Sequence, residues 1–360
     1  MSAQEPLSLG VLAGDGIGPE IVTAATQVAE QALATVSVPV RWRRLRIGAE
    51  AITADGTPLP ESTLDALDGL DAWLLGPHDN AAYPAPFRDA LSPGGAIRKR
   101  YGMFANIRPA RRLSDTVPAA CPGLDVVVVR ENTEGFYADR NMYDGAGEFM
   151  PTPDVAMAVA VFTREACERI AHRAFRLAAT RRRSVTVAHK ANVLAKTTGL
   201  FRDSCLAVAG HYPEVTVRCE HIDALAALLV ARPAEFDVIV AENMFGDILS
   251  DLTGQLTGSL GMAPSINASA DKAMAQAAHG SAPDIAGRNT ANPVAMIMST
   301  AMLLDWLADR DGDTTLAEAA QTVRTAVRRT LDDGVHTADL GGAATTTGFT
   351  EHVLSVIAAT

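Results

Sequence analysis

Short apolar runs bounded by turn residues alternate along this chain with longer stretches of helical period. LSLGVLAG (7–14), DAWLLG (71–76), DVVVV (125–129), SVTVAH (184–189) and FDVIVA (236–241) read as buried strands. PEIVTAATQVAEQALATV (19–36) reads as a helix, with Pro19 suited to its first turn. PVAMIMSTAMLLDWLA (293–308) and TLAEAAQTVRTAVRRTLDD (315–333) carry the same 3.6-residue period. Strands separated by helices predict an α/β protein with a largely parallel sheet. The stretch YADRNMYDGAGEFMP (137–151) is rich in glycine and polar groups and predicts a turn or an arm. No fixed-period repeat or low-complexity linker marks a boundary, so the domains are expected to exchange the chain more than once.

Composition narrows the picture. The chain has 360 residues, 48% hydrophobic, with a formal net charge of −11. That length suits two domains or one elaborated domain. The acidity argues against nucleic acid and against anionic membranes as partners, since both need clustered cations. RWRRLR (41–46) and RRR (181–183) read as solvated surface. No apolar run approaches the ~20 residues that span a bilayer, and no secretory leader is visible. The four cysteines show no zinc-type spacing. They are expected to be free thiols in a cytoplasmic protein.

Candidate chemistry gathers where predicted strands end. ENMFGDILSDLTG (242–254) leaves the strand FDVIVA and carries Asp247 and Asp251 four residues apart. On a helix that spacing puts both carboxylates on one face. They repel unless something neutralises them, and hard oxygen ligands select Mg2+ or Mn2+. An arbitrary pair of this kind is a solvated helix edge; a position past the carboxyl end of a strand is where α/β sheets place ligands. AGDGIGPE (13–20) has glycines between a strand and a helix, but its spacing is not the dinucleotide fingerprint. It is read as either a phosphate loop or a tight turn. Arg98, Arg108 and Arg130 offer guanidinium forks for carboxylates, and Arg130 closes an apolar strand. Lys190, in VAHKANVL, ends another strand. Beside a metal and several arginines its pKa would be lowered, as a general base requires. Tyr137 is a candidate acid. HGSAPDIAGRNTANP (279–293) is dense in small and polar residues ahead of an apolar helix, and suits a nucleotide or a plain surface loop.

Taken in order, GDGIGPE, FANIRP, VVVVRENTEGFY, HKAN, HID, NMFGDILSD, HGSAPDIAG and ANP resemble the β-decarboxylating dehydrogenases. This is the isocitrate/isopropylmalate dehydrogenase family, and the resemblance covers nearly the whole chain. It implies that family's fold, which is not a standard Rossmann domain. Residues 1–98 plus 253–360 would form a large cofactor-binding domain, and 99–252 a small dimerisation and substrate domain. It implies a homodimer with shared active sites, acting on a small-molecule substrate.

The resemblance also implies roles. Asp247 and Asp251 would bind Mg2+ or Mn2+, with Asp223 donated by the partner subunit. That ion would chelate the carboxylate and hydroxyl of a 2-hydroxy acid. Lys190, also from the partner, would assist removal of the hydroxyl proton, and Tyr137 would protonate the carbon left by CO2. Arg98, Arg108 and Arg130 would hold the malate core, with Ser92 and Asn192 also lining the substrate site. His279, Gly280, Ser281, Ala282, Asp284 and Asn292 would line the NAD pocket. A carboxylate at Asp284 favours NAD+ over NADP+, because it accepts from ribose hydroxyls and repels a 2′-phosphate.

The expected activity is NAD-dependent oxidative decarboxylation of a 3-substituted malate to a 2-oxo acid. ALSPGGAIR (90–98) leaves the substituent open. Isocitrate enzymes show S-x-N-x-x-x-R there; Ser92 fits, but Gly94 stands where asparagine is expected. Isopropylmalate enzymes place leucines there, and Gly94, Gly95 and Ala96 offer little apolar surface. Isocitrate-like and isopropylmalate-like substrates rank level, followed by homoisocitrate, then tartrate or D-malate. A non-catalytic regulatory subunit, the alternative of another class, would lack the aspartates, Lys190 or Tyr137. A related dehydrogenase of phosphorylated 4-hydroxythreonine would carry metal-binding histidines instead. A structural Ca2+ site would leave the arginines and HKAN unexplained.

Overall fold

The computed structural model describes residues 5–88, 90–137, 142 and 147–359. The first apolar run forms β1 (Leu7–Leu12). It is followed by α1 (Gly18–Thr35), whose buried face repeats at Ile21, Ala25, Val28, Ala32 and Leu33. The edge strand β2 (Val40–Arg44), helices α2 (Gly48–Asp55) and α3 (Glu61–Asp68), and the wholly buried β3 (Ala72–Leu75) follow. Short α4 (Ala85–Arg88) leads to α5 (Pro93–Arg100). The chain then enters β4 (Ala105–Arg111) and β5 (Asp125–Glu131), and a two-stranded hairpin, β6 (Glu148–Thr152) with β7 (Val155–Ala158). Next come α6 (Arg164–Ala179), β8 (Ser184–His189), α7 (Thr197–Ala209), β9 (Thr216–His221), α8 (Ile222–Ala231), β10 (Val238–Ala241) and α9 (Asn243–Leu256). The chain finishes through β11 (Ile266–Ala268), β12 (Ala273–Ala275), α10 (Val294–Asp311), α11 (Thr314–Asp332) and α12 (Thr346–Ala358).

Ten strands form one sheet in the order β2-β1-β3-β12-β11-β4-β5-β10-β8-β9. Most pairings are parallel, as the pattern predicts, but β12-β11, β11-β4 and β4-β5 are antiparallel. This is not the doubly wound order of a dinucleotide-binding domain. The first five strands in the sheet come from 1–98 and 253–360, and the last five from 99–252. They meet along one short antiparallel seam, where Ile266, Asn267 and Ala268 face Ile107, Asn106 and Ala105. Apolar side chains from both halves run into one core, including Val28, Val129, Phe175, Val240, Ile297 and Val327.

Two basic clusters differ in outcome. Arg41, Arg43 and Arg44 lie exposed on edge strand β2, where charge discourages further strand pairing. Arg181, by contrast, is not loose surface. Its Nε donates to buried Asp237 at 2.7 Å and its Nη2 to Asp125 at 2.8 Å, which ties the starts of β5 and β10 together. The expected arm falls partly on residues 138–141 and 143–146, which lie outside the described residues. Its described end enters the β6-β7 hairpin, whose Phe149, Met150, Val155 and Met157 are exposed. All four cysteines are free, three of them buried. No helix among the described residues is long and apolar enough to cross a membrane.

Candidate active site

The site begins with how α9 leaves the sheet. Glu242 caps the helix: its carboxylate accepts from Phe245 N at 2.7 Å and Met244 N at 3.1 Å, satisfying two of the helix's open N–H groups. Gly246 then lets the helix lie against β5. A Cβ there would sit 2.7 Å from the side chain of Arg130. Asp247 and Asp251 follow one turn apart on the same face, as their spacing predicts.

Two guanidiniums lie over this pair. Arg130, only 4% exposed, bonds Asp247 through Nη1. Asn243 Oδ1 fixes its fork, accepting from Nε at 2.9 Å and Nη2 at 2.7 Å. Arg108 Nη1 lies 3.3 Å from Asp247 and 3.3 Å from Asp251. It also donates to Ser250 Oγ at 2.8 Å, while its Nε donates to Asn106 Oδ1 at 2.6 Å. Burial, with repulsion from Arg130, pulls the Arg108 pKa down to about 10. Partial burial, aided by Asp247, pushes the Asp251 carboxyl up against the pull of the arginines. The Tyr137 hydroxyl reaches Asp247 Oδ2 at 3.4 Å, and its ring lies 5.8 Å from the Arg130 guanidinium.

A cleft of about 420 Å3 opens beside this cluster. Ser92, Arg98, Arg108, His279 and Gly280 all line it, so proposed substrate and cofactor residues share one space. Ser92 has a second task, because its Oγ accepts from Gly95 N at 3.1 Å and caps α5. His279 Nδ1 lies 3.0 Å from Gly280 O, and its Nε2 is sealed without a partner among the described residues. Burial lowers its pKa.

The glycine loop settles as a tight turn packed on its neighbours. Gly14 and Gly16 have φ of 72° and 58°. A Cβ on Gly16 would lie 2.0 Å from Ser281 O, and one on Gly14 2.3 Å from Pro77 O. Ile17 N donates to Ser281 O at 2.9 Å. The loop therefore positions Ser281 and Ala282, the latter at φ 40°. Asp284 stands exposed in the turn beyond. Asn292 is buried at the start of α10. Its Oδ1 accepts from Val294 N at 3.0 Å and its Nδ2 donates to Asp339 at 3.0 Å.

Lys190, Asp223 and Asn192 form a separate group at the far edge of the sheet. Lys190 Nζ donates to Asp223 Oδ1 at 2.5 Å within the same chain. That bond holds the exposed Asp223 carboxyl below its ordinary pKa. Asn192 is exposed. No described hydrogen bond or ion pair joins these residues to Asp247 or Asp251. Among the described residues, no three His, Cys, Asp or Glu side chains cluster to hold a metal ion.

Several residues in this architecture escaped the sequence reading. Asn106, Asn243 and Ser250 orient the arginines. Asp15 receives Ala49 N, Asp79 N and the Tyr83 hydroxyl at 2.8, 3.0 and 2.5 Å, which anchors the segment after β3. Each sits inside a quoted motif or beside a predicted strand end. A polar residue flanking a charged one at a strand end was the available signal.

Comparison with known proteins bears on the family and the fold. The family profile described as isocitrate/isopropylmalate dehydrogenase matches residues 8–353. An isocitrate/homoisocitrate dehydrogenase of Thermus thermophilus is 42% identical over 351 residues, covering 96% of this chain and 97% of the relative. A 3-isopropylmalate dehydrogenase of Archaeoglobus fulgidus is 42% identical over 348 residues, covering 96% and 98%. The crystal structure of isocitrate dehydrogenase from Methylococcus capsulatus superposes with a TM-score of 0.86 at 36% identity, covering 97% of this chain and 99% of that one. Sheet order, full-length similarity and the dehydrogenase names of these relatives lead to one conclusion: the chain is an enzyme of the isocitrate/isopropylmalate dehydrogenase family.

Proposed function

We propose that the protein carries out NAD- and divalent-metal-dependent oxidative decarboxylation of a 3-substituted malate, giving a 2-oxo acid and CO2. The observation that carries this reading is the cluster of Arg108, Arg130, Tyr137, Asp247 and Asp251 beside a cleft lined by Arg98 and His279. Two guanidiniums balance the two carboxylates. Arg98 in the cleft wall adds a third positive charge, and a divalent ion on the carboxylates would leave the arginine forks to a dianionic acid.

The donor set fits Mg2+ or Mn2+, since Asp247 and Asp251 present hard oxygens on one helical face. One chain supplies only this pair, so we take the site to be completed by Asp223 of a second copy in a homodimer. A divalent ion there would withdraw charge from the substrate alcohol and its carboxylate, and NAD+ would accept the hydride. Arg98, Arg108 and Arg130 bind and orient the carboxylates, with Ser92 and Asn192 at the margins. Lys190, from the second copy, takes the alcohol proton. Tyr137 returns a proton to the carbon that loses CO2. One proton leaves the substrate and one is regained, so the reaction balances without further acid. His279, Gly280, Ser281, Ala282, Asp284 and Asn292 form the dinucleotide wall, with exposed Asp284 facing the ribose hydroxyls. We also take 1–98 plus 253–360 and 99–252 as two domains that meet along the β4-β11 seam.

The direct test is turnover with Mn2+ and NAD+ over a panel of malates bearing hydrogen, hydroxyl, carboxymethyl, carboxyethyl or isopropyl at C3. NADH and CO2 are expected in equal amounts from at least one of them. Asp251→Asn should lower that turnover at least 100-fold with the fold intact by circular dichroism. Full activity in this variant removes the ligand assignment.

A further inference from the structure

The first turn of α5 differs from the isocitrate pattern at Gly94, and the structure shows what takes the vacated space. A Cβ on Gly94 would lie 2.9 Å from His78 Nε2 and 3.2 Å from His78 Cδ2. An asparagine there and the imidazole in its present place are mutually exclusive. His78 lines the same cleft as Arg98, Arg108 and His279. Both of its ring nitrogens are sealed from solvent and have no partner among the described residues. Buried polar atoms are ordinarily paired, so two on one ring at a cleft wall mark a place where a ligand supplies the pairing.

The backbone that carries the ring is held in place. Gly76 lies so close to the residue after β1 that a Cβ would sit 1.8 Å from Ala13 O. The next N–H after His78, that of Asp79, donates to Asp15 at 3.0 Å, and the Tyr83 hydroxyl donates to the same carboxylate. Burial keeps the imidazole neutral, lowering its pKa to about 4. It therefore offers one N–H donor and one acceptor, not a charge.

We propose that His78 is a specificity-determining residue that reads the C3 substituent of the substrate by hydrogen bonding, and that Gly94 is the position that admits it. This rests on the malate reading above. The substituent is then a hydroxyl- or carboxylate-bearing group. An isopropyl group would leave both nitrogens unpaired.

The test measures kcat/KM for the malate panel with Mn2+ and NAD+, on the whole enzyme, for wild type, His78→Phe and Gly94→Asn, together with the double variant His78→Ala/Gly94→Asn. The quantity read is the ratio of the best polar-armed malate to unsubstituted D-malate. That ratio is expected to fall at least tenfold in His78→Phe and in Gly94→Asn. The double variant, which places an amide in the emptied space, should recover part of the preference for a carboxylate arm. A purely structural role for His78 would lower all substrates alike and leave the ratio fixed; that result overturns the proposal. So does a wild type that prefers the isopropyl substrate. A wild type inactive on every malate removes the functional reading and this inference with it. A wild type active on polar-armed malates with an unmoved ratio removes only the inference.

Discussion

At the scale of single residues, the site is a set of charges placed in contact and then fixed by neutral neighbours. Asn243 and Asn106 contribute no charge, yet they set the two arginine forks that face Asp247. Asn243→Ala should therefore raise KM for the substrate about tenfold or more, while Lys190 and Asp223, at the sheet's far edge, stay undisturbed. Steady-state kinetics on the variant checks it. His78 gives a second residue-scale expectation. Its folded pKa of about 4 lies below the unfolded value of 6.5. Between those values the unfolded chain binds more protons than the native one, so stability rises with pH across the window and is lost as pH falls from 6.5 toward 4. The share due to this one ring is at most about 3 kcal/mol. Denaturant melts at pH 7 and pH 4.5 should show a smaller loss for His78→Phe than for wild type. Equal losses would assign the acid sensitivity to other groups. The sequence announced the charged members of this set, because a charge ending an apolar strand is conspicuous. It did not announce His78. A lone histidine after a strand carries no signal until Gly94 is seen beside it.

At the scale of elements, the apolar period was legible for the interior strands and the amphipathic helices. β1, β3, β5, β8 and β10, together with α1, α10 and α11, stand where the pattern puts them. What it missed has physical reasons. β2 is a half-exposed edge strand with arginines on its outer face. β11 and β12 are three-residue strands whose identity comes from their neighbours. β4 contains Pro109 and two arginines, and is a strand because β5 and β11 flank it. The loop after β1 shows how elements lock together. Gly16 adopts a left-handed conformation and touches the backbone at Ser281, so the turn and the 279–292 loop share one packing surface. Gly16→Ala places a methyl into a carbonyl 2.0 Å away, on top of the strain of a positive φ. A loss of about 2–4 kcal/mol is expected. Weakened NAD+ binding should accompany it, because Ser281 and Ala282 must move. A stability loss with unchanged NAD+ affinity by calorimetry would separate the loop from the dinucleotide.

At the scale of the molecule, the two clusters of candidate chemistry sit apart on one sheet. Arg130, Asp247 and Asp251 gather where β5 and β10 end, whereas Lys190 and Asp223 pair at β8 and β9. The chain also exposes apolar Val193 beside Lys190, Val230 on α8 and Ile248 beside Asp247, side chains of the kind that a second copy covers. If two copies meet there, each active site takes its aspartate pair from one chain and its lysine from the other. This makes a prediction that a self-contained monomer cannot meet. Asp251→Asn and Lys190→Ala are each expected to be inactive alone. In a mixed dimer, one site combines both substitutions and the other combines none. The second site is fully wild type, so activity returns on co-expression. With random assembly half the dimers are mixed, and each has one good site of two. The recovered activity should be roughly a quarter of wild type. Recovery near zero, with mixed dimers verified by tagged purification, would place every catalytic group within a single chain.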